Sequence, residues 1–367
     1  MKILIAAGGS GGHIFPATSL ARALKKERSA IEIRFVGSNK ALDKRIFEKE
    51  GFKFWLLSAN SLPYRPSWRL AVFFLKLFFD MIKAVSIVAS YRPCVMVGFG
   101  GYVSCPVVLA SFIFRIPIIM HEQNVTAGRA NALLFKLAGR IAVSFEETLR
   151  SLSPKELRKA ALTGNPIRSD IFRYDREAGI KRIGLNKSKF TILVIGGSQG
   201  AHFLNETFIK ALGLIDNNIK SSLQVIHITG IKDYEWALGE YKSLNIEHVV
   251  NSFIDRIEEA YSASDLVVTR SGASAVFELA FFGRPMILVP YPFAMSHQAE
   301  NARAFADKGA AIVIDESALN PEVFKMKLLD LFKDRNKLNS LSRAAKRLSK
   351  PDASRNLAKE VLALGER

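Results

Sequence analysis

Two glycine-rich segments carry the first chemical signal in the sequence. Residues 8–13 (GGSGGH) follow a short apolar run at 2–7, and residues 196–201 (GGSQGA) follow a similar run at 190–195. A glycine loop between a strand and a helix lets backbone N–H groups approach an anion at the positive end of the helix. Both segments therefore predict phosphate binding.

The spacing of the glycines argues against the common nucleotide-binding motifs. The dinucleotide pattern G-x-G-x-x-G needs a third glycine where the first loop has Ile14, and the second loop lacks the register altogether. The second strands of both halves also end without a ribose-binding acid, which disfavours an NAD enzyme. Neither loop has the lysine of a P-loop NTPase.

Both loops also match G-x-S-x-G, the turn that carries the nucleophile in α/β-hydrolases. Ser198 would be that nucleophile, and Asp255 or Asp265 with His297 would follow in the expected triad order. The same turn in both halves of the chain fits a duplicated anion-binding loop better. A hydrolase is the weaker alternative.

The segment after Asp265 combines several groups that suit a nucleotide sugar. An apolar run at 266–269 leads into the small residues 271–274, whose N–H groups would face a diphosphate, and Glu278 follows one turn into a predicted helix. A carboxylate there would accept hydrogen bonds from two ribose hydroxyls. The alternative is that Ser271 is an ordinary helix N-cap and Glu278 a solvated helix residue.

Histidines supply the candidate proton-transfer groups. His13 comes next to a helix N-terminus, where the dipole favours the neutral imidazole that a general base requires. A polar cluster at 121–124 (HEQN) directly follows an apolar strand, at the edge where open α/β sheets bind ligands, although it could serve only its own loop. No D-x-D or H-E-x-x-H motif occurs, so we expect no catalytic metal and no other cofactor.

The candidate residues are divided between two halves of the chain that have the same pattern of strands and helices. Short β-branched runs alternate with helical segments along all 367 residues, and the pattern of strand, glycine loop and helix occurs twice. This predicts an α/β protein with two Rossmann-like, doubly wound domains. Gly, Asn and Pro punctuate the chain at 163–166, so we expect the domains to cover 1–163 and 164–340.

Charge is distributed unevenly between these halves. The net charge is +18, and residues 1–163 hold 24 Lys and Arg against 10 Asp and Glu, leaving 28 against 24 for the rest. A one-sided basic field predicts a nucleic acid or an anionic membrane as partner, with a merely soluble surface as the alternative. Cys94 and Cys105 have no zinc-site spacing, which is typical of a reduced cytosolic protein without disulfides.

Residues 67–89 are rich in Phe and Leu but interrupted by charges. No uncharged run reaches the 18 residues of a membrane span. The segment is therefore either a buried helix or an amphipathic helix in a membrane interface, with Trp68 at headgroup level. The cationic rim of such a helix would be Arg65, Arg69, Lys76 and Lys83.

Six motifs then occur in order: GGSGGHIFPA (8–17), GFGGYVSCP (98–106), HEQNVTAGRAN (121–131), TGNPIR (163–168), GGSQGA (196–201) and RSGASAVFELAFFGRP (270–285). In combination, over residues 1 to about 355, they resemble the MurG family of glycosyltransferases. Such enzymes add N-acetylglucosamine (GlcNAc) from UDP-GlcNAc to undecaprenyl-pyrophosphoryl-MurNAc-pentapeptide (lipid I), making lipid II for peptidoglycan. The resemblance implies a GT-B fold, with two Rossmann-like domains facing across a cleft and residues 341–367 packing back toward the N-terminal domain.

The resemblance also implies roles for particular residues. His13 would be the base of an inverting transfer, and Tyr102 and His121 would bear on the acceptor. Arg168 and helix-end N–H groups would neutralise the leaving diphosphate without a metal. The implied donor-binding residues are Ser10, Gly11, Gly12, Asn124, Arg168, Ser198, Ile254, Ala273, Ser274, Ala275, Val276, Phe277, Glu278 and Gln298.

The partners implied by the resemblance are UDP-GlcNAc, lipid I and the anionic cytoplasmic face of the cell membrane, to which the protein would bind peripherally. A nucleic acid is not expected, because no RNP pattern, helix-turn-helix or zinc finger accompanies the charge. The alternative enzyme is another GT-B protein that uses UDP-GlcNAc, either a 2-epimerase or a lipid glycosyltransferase.

Overall fold

The structure is a computed structural model that describes residues 1–59, 68–168, 171, 174–197, 200–293 and 297–366, apart from the side chain of Arg69. These residues form two units, residues 1–168 with 350–367 and residues 169–349. Each unit is built on one parallel sheet with helices. The predicted fold class, two doubly wound α/β domains, is confirmed.

The first unit follows the alternation predicted from the sequence. Its strands are β1 (Lys2–Ala6), β2 (Glu32–Ser38), β3 (Lys53–Leu57), β4 (Val95–Gly98), β5 (Ile118–Glu122), β6 (Arg140–Val143) and β7 (Ala160–Leu162). Its helices before the second unit are α1 (Gly11–Glu27), α2 (Ala41–Lys49), α3 (Trp68–Tyr91), α4 (Ser104–Ile113), α5 (Arg129–Leu134), α6 (Glu146–Arg150) and α7 (Pro154–Leu157).

The first sheet has the strand order β3-β2-β1-β4-β5-β6-β7, with parallel pairing. Successive residues of β1 point to opposite faces: Ile3 and Ile5 enter one buried cluster, and Leu4 and Ala6 enter another. Both faces are covered, which is why the strand is apolar at every position. The strand order reverses between β1 and β4, and ligands bind at such switch points, outside the carboxyl ends of the strands.

The second unit repeats this plan. Its strands are β8 (Phe190–Ile195), β9 (Leu223–Ile228), β10 (Glu247–Asn251), β11 (Leu266–Thr269), β12 (Met286–Leu288) and β13 (Ala311–Val313). Its helices are α8 (Arg176–Ile183), α9 (His202–Gly213), α10 (Asn217–Lys220), α11 (Tyr234–Tyr241), α12 (Ile257–Ala263), α13 (Ala273–Phe282), α14 (His297–Ala306), α15 (Pro321–Lys333) and α16 (Arg335–Leu348). The order β10-β9-β8-β11-β12-β13 places its switch point between β8 and β11.

The limits of the units differ from the predicted boundaries for local reasons. The N–H groups of Thr163 and Gly164 bond to the carbonyl oxygen of Val143, so the chain just after residue 163 still belongs to the first sheet. At the other end, α16 stays with the second unit, where the hydroxyl of Ser342 donates to the carbonyl oxygen of Gly283 at 2.7 Å. The chain rejoins the first unit only with α17 (Ala353–Gly365), which packs on α1.

The Phe-rich segment forms the helix α3, which is partly buried and partly exposed. Its last two turns are buried in the first core, through Ala84, Ile87, Val88 and Tyr91. Its earlier turns expose large apolar side chains, namely Trp68, Phe74, Leu75, Phe78, Phe79 and Ile82, each more than half exposed. Arg65 and the side chain of Arg69 lie outside the described residues. Among the described residues, the helices include none that is both long and apolar enough to cross a membrane.

Candidate active site

The first glycine loop lies at the carboxyl end of β1, beside the switch point. The loop after β4 closes on it, because a Cβ on Gly101 would lie 3.2 Å from the carbonyl oxygen of Gly8 and 3.4 Å from Nδ1 of His13. Gly101 also has φ +75°, so both the backbone and the close approach require glycine there. The GGSGGH and GFGGY motifs therefore form one surface around His13.

His13 lies in the first turn of α1 with its ring turned back toward the loop. Its Nδ1 is 3.2 Å from the carbonyl oxygen of Gly8 and 3.2 Å from Oγ of Ser10. A carbonyl oxygen only accepts, so Nδ1 carries the proton and donates to Gly8. Nε2 then holds the lone pair and makes no hydrogen bond to a described residue. This is a tautomer suited to a general base.

Burial lowers the pKa of His13 below its usual 6.5. This effect outweighs the hydrogen bond to Gly8 and the negative charges of Glu122 and Asp43, all of which raise the pKa, while Lys40 lowers it further. The imidazole is neutral at pH 7 as a result. Geometry and protonation state therefore agree on the same role for Nε2.

Asp43 is a site residue that the sequence analysis missed. Its carboxylate is fully buried in α2 and accepts from the N–H of Gly9 at 2.9 Å and from the N–H and hydroxyl of Ser38 at 2.8 and 2.7 Å. Lys40 donates to the carbonyl oxygen of Gly9 at 2.8 Å. An internal carboxylate thus holds the Gly9 N–H, so the phosphate binding predicted for this loop does not include that group.

The carboxylate of Glu122 is buried and accepts four hydrogen bonds. Oε1 accepts from the backbone and side-chain amides of Asn124 at 2.9 and 3.1 Å, and Oε2 accepts from the N–H of Gly128 at 3.2 Å and the Asn131 amide at 2.8 Å. A Cβ on Gly100, which has φ +89°, would lie 2.8 Å from Oδ1 of Asn131. Glu122 therefore ties the HEQN loop, α5 and the loop after β4 into one frame.

His121 is fully buried within this frame. Its Nε2 donates to the carbonyl oxygen of Gly164 at 3.2 Å, and its Nδ1 accepts from the amide of Gln123 at 3.0 Å. Burial lowers its pKa to about 4, so the ring is neutral. A direct contact with an acceptor would need an exposed side chain, so the predicted acceptor role can act only through the loop that His121 supports.

Other predicted residues of the first unit lie around the same loop. Ser10 is the N-cap of α1, and Gly12 and Tyr102 are exposed. The Arg168 guanidinium lies 5.2 Å from the ring centroid of Phe15, and a Cβ on Gly11 would lie 3.0 Å from that ring. The side chain of Asn124 donates to Glu122.

The second unit carries the predicted diphosphate loop at the carboxyl end of β11. The helix α13 begins after Gly272, an N-cap with no side chain, and its first turn contains no acidic residue. The positive end of the helix is therefore not neutralised by its own side chains, as an anion site requires. Ser274 and Ala275 are partly exposed there, whereas Ala273 and Val276 are buried.

Two alternatives for this segment are wrong. Ser271 does not cap the helix: its hydroxyl donates to the carbonyl oxygen of Gln298 at 2.7 Å. Glu278 is not solvated, because it is only 7% exposed. Phe277 is also buried, with its ring 5.7 Å from that of Phe305, so its side chain belongs to the core and only its backbone is left for a donor.

Gln298, at the start of α14, is held by a second hydrogen bond besides the one from Ser271. Oε1 of Gln298 accepts from the N–H of Tyr291 at 3.0 Å. Arg270, 8% exposed, donates to the carbonyl oxygens of Val289 and Pro290 and pairs with Glu316 at 2.5 Å. Arg270 is the first residue of the sixth motif, and its burial and backbone contacts show that it positions the chain after β12.

The remaining predictions concern Ile254, Ser198 and the hydrolase alternative. Ile254 is partly exposed after β10, at the carboxyl edge of the sheet, and Ser198 lies outside the described residues. Asp265 precedes β11 and accepts from Thr191 at 2.8 Å and Arg176 at 3.0 Å, at the opposite edge from the glycine loop. A triad through Asp265 is therefore excluded. Within the described ranges, no group of three His, Cys, Asp or Glu is placed to hold a metal ion.

Acid is expected to destabilise the fold through two buried histidines. Burial lowers the pKa of His121 to about 4 and that of His227 to about 3. The unfolded chain protonates both near pH 6.5, whereas the folded chain does so only near the lower values, so stability is lost as the pH falls through this window. Between pH 7 and 5 each histidine should cost about 2 kcal/mol of unfolding free energy.

Urea unfolding of the whole chain at the two pH values measures this loss. His227 lies between the hydroxyl of Tyr241 and Oδ1 of Asn205, and His227→Asn should flatten the pH dependence. An unchanged slope in His227→Asn would show that burial does not keep this ring neutral.

Two parallel sheets, each with a glycine loop at its switch point, are the framework of a two-domain nucleotide-sugar enzyme, and the comparisons with known proteins identify the class as a glycosyltransferase. The model of the glycosyltransferase family 28 N-terminal domain matches residues 3–143, and that of the C-terminal domain matches residues 191–357. The crystal structure of UDP-GlcNAc 2-epimerase from Neisseria meningitidis has a TM-score of 0.70 at 11% identity, covering 99% of this chain and 100% of that one, and shares the fold alone.

Within that class, the chain belongs to the MurG family. It is 39% identical over 364 residues, 97% of each chain, to the UDP-N-acetylglucosamine--N-acetylmuramyl-(pentapeptide) pyrophosphoryl-undecaprenol N-acetylglucosamine transferase of Halothermothrix orenii. The crystal structure of Acinetobacter baumannii MurG has a TM-score of 0.76 at 25% identity and covers 99% of both chains.

Proposed function

We propose that this chain transfers GlcNAc from UDP-GlcNAc to the 4-hydroxyl of MurNAc in lipid I, giving lipid II and UDP for peptidoglycan synthesis. The observation that carries the proposal is the similarity, over nearly the whole chain, to relatives named for this reaction. The neutral His13 with an unengaged Nε2 supports it, because the reaction needs a base for a sugar hydroxyl.

The transfer is a single displacement with inversion. Nε2 of His13 takes the proton of the MurNAc 4-hydroxyl while that oxygen bonds to the anomeric carbon of GlcNAc. The bond from that carbon to the diphosphate oxygen breaks, and UDP leaves with the electron pair. Nδ1–H stays bonded to Gly8 throughout and stabilises the imidazolium that forms.

Fixed dipoles and cations of the chain stabilise the negative charge that develops on the leaving diphosphate. The start of α13, whose N-cap Gly272 has no side chain, presents the positive end of a helix. Arg168 adds a cation by its place in the family pattern. Groups of this kind each contribute about 2 to 4 kcal/mol to lowering such a barrier.

The test is transfer of radiolabelled GlcNAc from UDP-GlcNAc to a short-chain lipid I analogue by the purified protein in EDTA. We expect a labelled disaccharide lipid and UDP, without a divalent metal. Binding of UDP-GlcNAc without transfer would contradict the assignment of lipid I as acceptor and would support the assignment of UDP-GlcNAc as donor. Formation of UDP-N-acetylmannosamine instead would establish the 2-epimerase alternative.

Glu278→Ala is expected to weaken UDP-GlcNAc binding about 100-fold, with a smaller effect on kcat. A carboxylate that accepts from two ribose hydroxyls makes two charge-assisted hydrogen bonds, each contributing about 1.5 to 3 kcal/mol. Isothermal titration with UDP-GlcNAc measures the loss. Glu300→Ala, in α14 of the same unit, is the matched control, and unchanged donor affinity in Glu278→Ala would remove the ribose role.

We also propose that the first unit binds the cytoplasmic face of the cell membrane peripherally. The exposed apolar residues of α3 continue onto the end of α4, which packs against it and exposes Phe112, Ile113 and Phe114. Lys76 and Arg115 lie among them, and the N-terminal half carries most of the net positive charge. An apolar face with a cationic rim suits an anionic lipid surface, where the acceptor is embedded.

Replacing Phe74, Phe78 and Phe79 together with serine is expected to weaken binding to phosphatidylglycerol vesicles about 100-fold, since each ring loses roughly 1 kcal/mol of apolar burial. Vesicle co-sedimentation measures this. Turnover of a soluble acceptor analogue should stay at the wild-type level. Ile231→Ser, at an apolar residue of the second unit that is 83% exposed, should bind vesicles normally; if the triple variant does the same, these rings do not contact the membrane.

A further inference from the structure

The second unit has a surface cavity that the proposed transfer does not use. It has a volume of about 390 Å³ and lies where β8, β9 and β10 begin, at the opposite edge of the sheet from the diphosphate loop. This volume is within the usual range for small-molecule sites, roughly 300 to 1,000 Å³. The cavity therefore belongs neither to the donor seat nor to the acceptor side.

Cations dominate the lining of this cavity. Lys189, Lys220 and Lys242 line it with His248, and among the described residues of the lining Glu247 is the one carboxylate. Glu247 pairs with Lys189 at 2.8 Å, which leaves the charges of the other two lysines without compensation from the lining.

Lys220 is the unusual member of this group. It ends the short helix α10 and is only 6% exposed, yet its ammonium has no hydrogen bond or ion pair with any residue that the structure describes. Its stem is packed against the protein while the ammonium itself stays accessible to solvent, so a counter-charge can reach it. The cavity is the space from which an anion would approach this side chain.

The chemistry of the lining distinguishes among anions. Lysines act as point charges and suit tetrahedral phosphate oxygens, whereas planar carboxylates are matched best by the fork of an arginine, and no arginine lines the cavity. Asn217 adds an amide donor. His248 is oriented by its Nδ1, 2.9 Å from the carbonyl oxygen of Ile246, with its ring stacked on Tyr241.

We propose that this cavity is a second ligand site, which binds a phosphate-bearing small anion through Lys220 and Lys242. The site is independent of the proposed transfer, because it lies at the other edge of the sheet and uses none of the donor residues. Pyrophosphate is the probe, and UDP at saturating concentration keeps the probe out of the donor seat.

The experiment combines titration with localisation. Isothermal titration of the full chain with pyrophosphate should show one site in the presence of UDP, and hydrogen exchange should slow at residues 217–222 and 241–248. Lys220→Met should weaken this binding about tenfold or more, because it removes a charge-assisted contact. Lys187→Met, at an exposed lysine outside the cavity lining, should leave it within about twofold of wild type, as its charge makes no such contact.

Stability gives a second readout. Pyrophosphate should raise the Tm of wild type, whereas the Tm of Lys220→Met should rise much less at the same pyrophosphate concentration. If Lys220→Met does not fold, Lys242→Met serves instead, since that lysine is exposed, and it should weaken binding severalfold. Equal pyrophosphate affinity in wild type and these variants, protection elsewhere in the chain, or equal binding of citrate would overturn the proposal.

Discussion

His13→Ala should lower kcat by about 100- to 10,000-fold, the usual contribution of a single general base. UDP-GlcNAc affinity should change little, because the described partners of this side chain, Gly8 and Ser10, both lie in its own loop. Steady-state kinetics with a lipid I analogue, together with donor titration, separates the two quantities. His13→Gln, which keeps a donor toward Gly8 but has no basic nitrogen, should lose as much activity as alanine.

The pH dependence of kcat/KM is an independent test of His13 as the base. Because burial holds the pKa of His13 below 6.5, kcat/KM should stay level as the pH falls from 8 to 6.5 and decline only below that value, as Nε2 takes up a proton. A decline that begins well above pH 7, or near-normal turnover in both variants, would assign the base to another group.

Much of the architecture was accessible from the sequence because it depends on local patterns. The two glycine loops occur between a strand and a helix, as their apolar flanks predicted, and the duplicated pattern corresponds to two sheets with the same strand order around a switch point. Patterns of this kind involve neighbours in the chain. They therefore predict which edge of a sheet carries a site without specifying the contacts across it.

The contacts that were missed join segments that are distant in sequence. Asp43 reaches Gly9 across 34 residues, and it lies in the helix after β2, beyond the strand end where a ribose-binding acid is expected. The sequence places His121 directly after an apolar strand, at the ligand edge of the sheet, but whether such a side chain faces solvent depends on residues such as Gly164 that pack over it later. Composition likewise could not divide α3 into a buried half and an exposed half.

These missed contacts explain why the first loop acts differently from the second. In the first unit Asp43 holds a loop N–H that could otherwise bind phosphate, and the histidine at the start of α1 remains neutral. In the second unit the first turn of α13 has no acidic residue, so the helix end stays positive. In the proposed function, one duplicated framework thus supplies the base in one unit and the anion-binding helix end in the other.

Glu122→Ala should strongly destabilise the first unit, costing on the order of 3 to 4 kcal/mol of unfolding free energy. Four N–H groups, from Asn124, Gly128 and Asn131, lose a charged acceptor in a buried region, and each unsatisfied donor costs about 1 to 3 kcal/mol before water or rearrangement relieves part of it. Urea unfolding measures the loss, and Glu48→Ala, at an exposed glutamate in α2, should change stability by less than about 0.5 kcal/mol.

Glu122→Gln separates the fold from the chemistry. It keeps one oxygen for the Asn124 amides, so it should fold with a smaller loss, and it removes a negative charge that raises the pKa of His13. The acidic limb of kcat/KM should then move to lower pH than in wild type. Because a purely structural role would lower activity without moving that limb, an unshifted profile would restrict Glu122 to holding the loop, and a wild-type unfolding free energy in Glu122→Ala would contradict even that.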